Sequence, residues 1–140
     1  METITFLMLR EHRKIREIFK RFEKEKNPGR RRGLCNQFKW AIEKHLFVEE
    51  KAIFSFSQDI SGKIVSSVFK LMKEHGEILN LINEVEEDLD ENVITSTFNL
   101  KKYLQDHEDF EEKFFYPKLD QLLNKQQKAE LIERIEEIIH

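Results

Sequence analysis

Apolar residues recur every three to four positions through most of this chain, and that spacing predicts helices. The first stripe runs from about Ile4 to Lys26 and carries Ile4, Met8, Ile15, Ile18, Phe19 and Phe22. Asn27-Pro28-Gly29 stops it. A second segment, from about Leu34 to Gln58, carries Leu34, Phe38, Ala41, Ile42, Ala52, Ile53 and Phe56, and Asp59-Ile60-Ser61-Gly62 makes a turn after it. The third, about Lys63 to Glu87, places Ile64, Val65, Val68, Leu71, Met72, Ile78, Leu79, Ile82 and Val85 on one side. The fourth, about Val93 to Tyr116, presents Val93, Ile94, Leu100, Leu104, Phe110, Phe114 and Phe115, and Pro117 bends or closes it. A shorter helix follows from about Lys125 to Ile139, with Asn124 as its cap and Leu131, Ile132, Ile135 and Ile138 as its buried side.

Helices of roughly 23 residues are about 35 Å long. Four of them on short connections pack as an up-down-up-down bundle. The expected fold is therefore all-α, a four-helix bundle over about residues 1–118 with an additional short C-terminal helix over about 124–139. At 140 residues the chain is the size of one domain. The last helix either covers an end or groove of the bundle or offers a surface for a homodimer.

Composition narrows the function. A charged fraction of 36% beside 39% hydrophobic residues suits helices with one dry stripe and one wet face. Twelve phenylalanines predict a bulky interior, with Phe47, Phe54, Phe110 and Phe114 as candidates to line it. The net charge of −3 gives no broad electrostatic reason to bind nucleic acid or an anionic membrane. The one basic cluster, Arg30-Arg31-Arg32, reads as a solvated approach to a helix. Cys35 is alone, so it has no disulfide partner within the chain and belongs to no cysteine-based zinc framework. Residues 1–10 resemble neither a signal peptide nor a membrane span, and a cytoplasmic location is expected.

The histidines carry the chemistry. Four of the five fall one per long helix: His12, His45, His75 and His107. Leu9-Arg10-Glu11-His12 parallels Met72-Lys73-Glu74-His75, and His45-Leu46-Phe47-Val48-Glu49-Glu50-Lys51 parallels His107-Glu108-Asp109-Phe110-Glu111-Glu112-Lys113. Two copies of one unit are present, a helix with His, a turn, and a helix with His-x-x-x-Glu. Residues four apart share a helix face, so His45 with Glu49, and His107 with Glu111, each aim a nitrogen and an oxygen in one direction. Leu9, Ile42, Met72 and Leu104 stand three residues before the histidines, which puts every imidazole on an apolar stripe.

Two carboxylates buried together repel unless they are protonated or positive charge lies between them. Four imidazoles and two carboxylates at one level suit iron, manganese or zinc, and facing carboxylates can bridge a metal pair. Glu50, Glu112, Glu11 and Glu74 read as solvated, or as supports outside the ligand set. Tyr103 reads as a packed tyrosine at a helix boundary rather than a fifth ligand, and His140 as a bystander. A ferritin-type site requires Glu-x-x-His pairs, and none occurs at His12, His45, His75 or His107.

These residues, with Phe114-Phe115-Tyr116-Pro117 after the last motif, resemble the hemerythrin-like (HHE) cation-binding family over about residues 1–118. The resemblance implies two iron ions bridged by Glu49, Glu111 and an oxo or hydroxo group, with His12, His45, His75 and His107 as terminal ligands. Oxygen-carrying hemerythrins have a further histidine one turn after the one on the third helix, and Leu79 stands there. Four histidines are also found in the hemerythrin-like domains of iron-sulfur-repair and iron-sensing proteins. The implied partner is a small diatomic ligand, oxygen or nitric oxide, bound or sensed at the diiron site. The alternative is redox turnover of peroxide or nitric oxide, or iron donation to damaged iron-sulfur clusters, with any signalling or repair output passing through a separate protein.

Overall fold

The computed structural model describes residues 2–58, 62–91 and 96–139, and among these there is no strand. Helix α1 spans Ile4–Lys24 and is capped by Thr3, whose side chain accepts from the Phe6 N–H. Helix α2 starts as Pro28–Val48, passes through a π-helical stretch at Glu49–Phe54 and ends as Ser55–Gln58. Helix α3 spans Gly62–Asp90. Helix α4 runs as Phe98–Phe110, then a π-helical stretch at Glu111–Phe115, then Tyr116–Leu122. Helix α5 spans Lys125–Ile139. The predicted turn at 59–61, the predicted start of the fourth helix at Val93 and Ile94, and His140 lie outside the described residues.

Three boundaries differ most from the sequence reading, the first being that of the fourth helix, which begins at Phe98 after Thr97 rather than near Val93. Helix α2 starts six residues before Leu34, because Asn27-Pro28-Gly29 ends one helix and also opens the next. The Asn27 side chain accepts from the Arg30 N–H at 3.1 Å, and Pro28 takes the first turn, where its missing N–H costs nothing. Arg30, Arg31 and Arg32 therefore belong to the helix itself. Arg31 lies over the Phe22 ring, and Arg32 donates to the Leu89 carbonyl at 2.8 Å. Pro117 does not close α4, which continues to Leu122. Proline falls just after the π-helical stretch, in the first turn of the α-helix that resumes there.

Helix α1 packs on α2 and on the later part of α4, and α3 packs on α2 and on the early part of α4. The interior consists of two apolar clusters. One gathers Ile4, Met8, Ile53, Leu71, Phe115 and Leu119; the other gathers Ile15, Phe22, Phe38, Ile42, Ile78 and Ile82. In every long helix the histidine falls between a residue of the first cluster and one of the second, so a polar layer crosses the bundle between two dry ones. Helix α5 covers a groove, burying Leu131 and Ile135 in the first cluster and packing on α2. Among the described residues, no helix is long and apolar enough to cross a membrane.

The phenylalanine lining needs correction. Phe54 is buried and Phe110 partly so, but Phe47 is 49% exposed and Phe114 is 65% exposed. Met72 is also outside, at 41%. The inner line of α3 runs through Leu71, His75, Ile78 and Ile82, and Met72 sits about 100° round the helix from Leu71. Phe114 is displaced outward by the π-helical stretch, while Phe115, four residues after Glu111, stays in the core.

Candidate metal centre

All six predicted site residues, His12, His45, Glu49, His75, His107 and Glu111, are buried. Helix periodicity explains their direction, because each continues an inward stripe. Tertiary packing brings them together. His12 Nε2 lies 3.2 Å from His45 Nε2 and 3.2 Å from Glu111 Oε1. His75 Nε2 lies 3.2 Å from Glu49 Oε1, and His107 Nε2 lies 3.4 Å from Glu111 Oε1. Two overlapping groups result, one of Glu49, His75, His107 and Glu111 and one of His12, His45 and Glu111. Each draws its imidazoles from two different helices.

Several of these atoms are close to a partner but make no hydrogen bond. Glu49 Oε1, both oxygens of Glu111, both nitrogens of His75 and Nε2 of His107 are buried without a hydrogen bond. A buried polar atom left unpaired costs about 1–3 kcal/mol, and here several converge on one spot. His12 Nε2 and His45 Nε2 face each other, and the Nδ1–H of His12 is already given to a carboxylate, so its Nε2 offers a lone pair. Lone pairs and carboxylate oxygens converging in a dry layer are the donor set that a divalent cation satisfies. The residues fit the group.

The family model described as Hemerythrin HHE cation binding domain matches residues 3–93 and 66–140. The chain belongs to this family. No curated protein and no solved structure matches the chain.

Carboxylates outside the HHE motifs hold two of the four imidazoles. His12 Nδ1 donates to Glu112 Oε2 at 2.6 Å, and His107 Nδ1 donates to Glu74 Oε1 at 2.8 Å. The repeat-related contacts are weaker. Glu50 Oε1 is 3.8 Å from His75 Nδ1, and Glu11 pairs with Lys14. Such carboxylate–histidine pairs fix ring orientation and tautomer at cation sites. Glu112 is also bound by Arg16, and Glu74 by Lys70 at 2.6 Å. Burial by itself would raise the Glu49 carboxyl, but the facing imidazoles of His45, His107 and His75 outweigh it and hold it well below the usual range. Burial works against a charged His107, yet Glu49 and Glu74 reverse that and raise it. These directions describe the chain without a cation.

Sequence reasoning missed two buried groups. Glu108 lies 3.3 Å from His12 Nδ1 and 3.3 Å from Arg16 Nη2, and burial pushes its carboxyl up against the pull of both. Its spacing of four from Glu112 was the available signal, since the pair lines the face that meets α1. Tyr116 is fully buried, and its hydroxyl donates to Glu49 Oε2 at 2.9 Å and stands 3.5 Å from His12 Nε2. An α-helical wheel puts Tyr116 roughly 140° away from Glu111. The π-helical stretch that begins at Glu111 widens the turn and brings the tyrosine back to the inward face. Tyr103 is partly buried against the second apolar cluster, as a packed tyrosine should be. Leu79 packs there too.

Proposed function

We propose that the chain holds two iron ions, with His75, His107, Glu49 and Glu111 around one and His12, His45 and Glu111 around the other, and that it binds or senses oxygen or nitric oxide there. The observation that carries this reading is the shared carboxylate: two buried donor groups meet at Glu111, whose oxygens have no other partner. Membership of a cation-binding family supports it. When bound, iron supplies reversible one-electron exchange and a position for a small exogenous ligand. The chain's own residues do the rest. Glu112 and Glu74 hold the Nδ1 protons of His12 and His107, so the Nε2 lone pairs point inward. Phe54 stacks on His75 with ring centres 5.4 Å apart, and Phe115 closes behind it, so bulk water is kept from that side.

A second reading, turnover of peroxide or nitric oxide or release of iron to damaged clusters, is favoured by one residue. Leu79 offers no donor where an oxygen carrier of this family has a fifth histidine. Anaerobic loading with ferrous iron, followed by metal analysis per chain, tests the common ground: two irons are expected, falling sharply in Glu111→Ala. Nitric oxide or air is then added. A visible absorption change that reverses when the gas is removed supports binding, whereas steady consumption of peroxide or nitric oxide that is lost in Glu49→Ala supports turnover. A purified protein that takes up no iron and whose melting temperature ignores iron rejects both readings.

A further inference from the structure

Aligning the two halves of the chain on their histidines pairs Glu112 with Glu50, but Arg16 with Leu79 and Glu108 with Leu46. Charged side chains thus stand beside His12 where the repeat has leucines beside His75. Arg16 lies one turn after His12 on α1 and shares its face. Its Nη2 donates to Glu112 Oε2 and lies 3.3 Å from Glu108 Oε2. Both oxygens approach the same imidazole nitrogen, His12 Nδ1, at 2.6 Å from Glu112 and 3.3 Å from Glu108. Among the described residues His75 has no such anchor: its Nδ1 makes no hydrogen bond, and Glu50 is 3.8 Å away. Leu46 belongs to the second apolar cluster instead, and Leu79 packs against it.

One N–H cannot satisfy two carboxylates. Glu108 and Glu112 stand four apart on the same helix, where like charges repel. Glu108 is also only 4% exposed, and its Oε2 makes no hydrogen bond. Two carboxylates stay together in such a place only when positive charge lies between them. We propose that Arg16 is a positioning residue for the cation layer: by binding Glu112 and Glu108 together, it keeps Glu112 on the Nδ1 proton of His12 and so keeps the Nε2 lone pair of His12 turned inward. The inference rests on the reading of the layer as a two-cation site. It extends the support of that site to the surface, because the Arg16 side chain is 44% exposed. Both carboxylates are reached by a single nitrogen, Nη2, so the task is that of a point charge, which a lysine ammonium also performs.

Anaerobic titration of the full chain with ferrous iron, against a competing chelator, tests this. Arg16→Gln should weaken iron binding by about three- to fivefold, less than the roughly tenfold that follows loss of a directly bonded carboxylate, because solvent screens a half-exposed cation. Arg16→Lys should stay within about twofold of the unaltered protein. With both carboxylates neutralised by Glu108→Gln and Glu112→Gln, adding Arg16→Gln should cost less than about a further twofold, since a residue that acts through those two has no charge left to hold. Circular dichroism shows whether each variant folds. Should Arg16→Gln not fold, Arg16→Met keeps the apolar stem without the charge and takes its place. Unchanged affinity in the charge-removing variant, an equal loss in Arg16→Lys, or losses that add in the combined variant would overturn the proposal. Absence of any iron binding by the unaltered protein would instead remove the two-cation reading beneath it.

Discussion

Replacing Glu74 by Gln removes one charge from the outer side of His107 and leaves the shape intact. Glu74 accepts from His107 Nδ1 at 2.8 Å and from Lys70 Nζ at 2.6 Å, and Gln can still accept one of these bonds. A hydrogen bond to a charged group contributes about 1.5–3 kcal/mol, against about 1 kcal/mol for a neutral one. Lys70 is exposed to solvent, so the low end applies, and the expected loss is about 1 kcal/mol. With an unfolding entropy of about 2.1 cal/mol/K per residue, that lowers the melting temperature of a 140-residue chain by about 3–4 °C. The effect has a pH signature. In the cation-free protein Glu74 lies below its ordinary value, because His107 and Lys70 outweigh its burial, and so its contribution is lost as pH falls through the acid range. His107 lies above its ordinary value, so its share is full below about pH 6.5 and is lost as pH rises through the elevated value. The loss in Glu74→Gln should therefore be largest near about pH 6 and shrink toward about pH 9. With iron bound, Nε2 is taken and the Nδ1–H stays a donor at either pH, so a drop in iron affinity of about tenfold should persist at both. Thermal melts with chelator at the two pH values, and calorimetric titration with ferrous iron, check the two halves. A cation-free loss that is equal at both pH values, or greater at the higher one, refutes the electrostatic reasoning. Unchanged iron affinity refutes the orienting role.

The repeat makes a paired comparison available: Glu112→Gln should weaken iron binding by about tenfold, while Glu50→Gln, removing a contact of 3.8 Å from a half-exposed side chain, should change it by less than about twofold, both read by calorimetry. Iron binding should release protons, because the raised His107 must surrender one, and the apparent affinity should fall as pH drops through that raised value, starting above about 6.5. Phe38→Ala empties a site fully inside the second cluster, against Phe19 at 4.9 Å, and should destabilise the fold by about 3–5 kcal/mol in urea titrations. Cys35 is buried, and burial, with Glu86 nearby, pushes its thiol up to about 11, so iodoacetamide at about pH 8 should modify it slowly until urea unfolds the chain.

The helical class, the spacing of the histidines and the inward direction of the six buried polar side chains could all be read from the sequence, because each follows from local periodicity. A side chain at His45 and one at Glu49 share a face whatever the rest of the chain does. The start of α2 was also written locally, in Asn27 and Pro28, but that triplet ends one helix and begins another, and reading it once hid the second role. What needed tertiary structure was everything set by contact between helices. Glu112 reaches His12 across 100 positions of chain, and Glu74 reaches His107 across 33, with nothing in either neighbourhood to distinguish them from solvated glutamates. The division of six donors into two groups that meet at Glu111 depends on how four helices rotate about their axes, which no single stripe determines. Phe47 and Phe114 face water although their composition suggested a core, and Tyr116 faces the core although α-helical geometry turned it away. For Phe47 ordinary α-helical geometry is the reason, since it precedes the π-helical stretch and stands about 200° round the helix from His45; for Phe114 and Tyr116 the reason is the stretch itself. A periodic pattern fixes directions only while the period holds, and in both repeats the π-helical stretch that begins at the glutamate changes the period at the site itself.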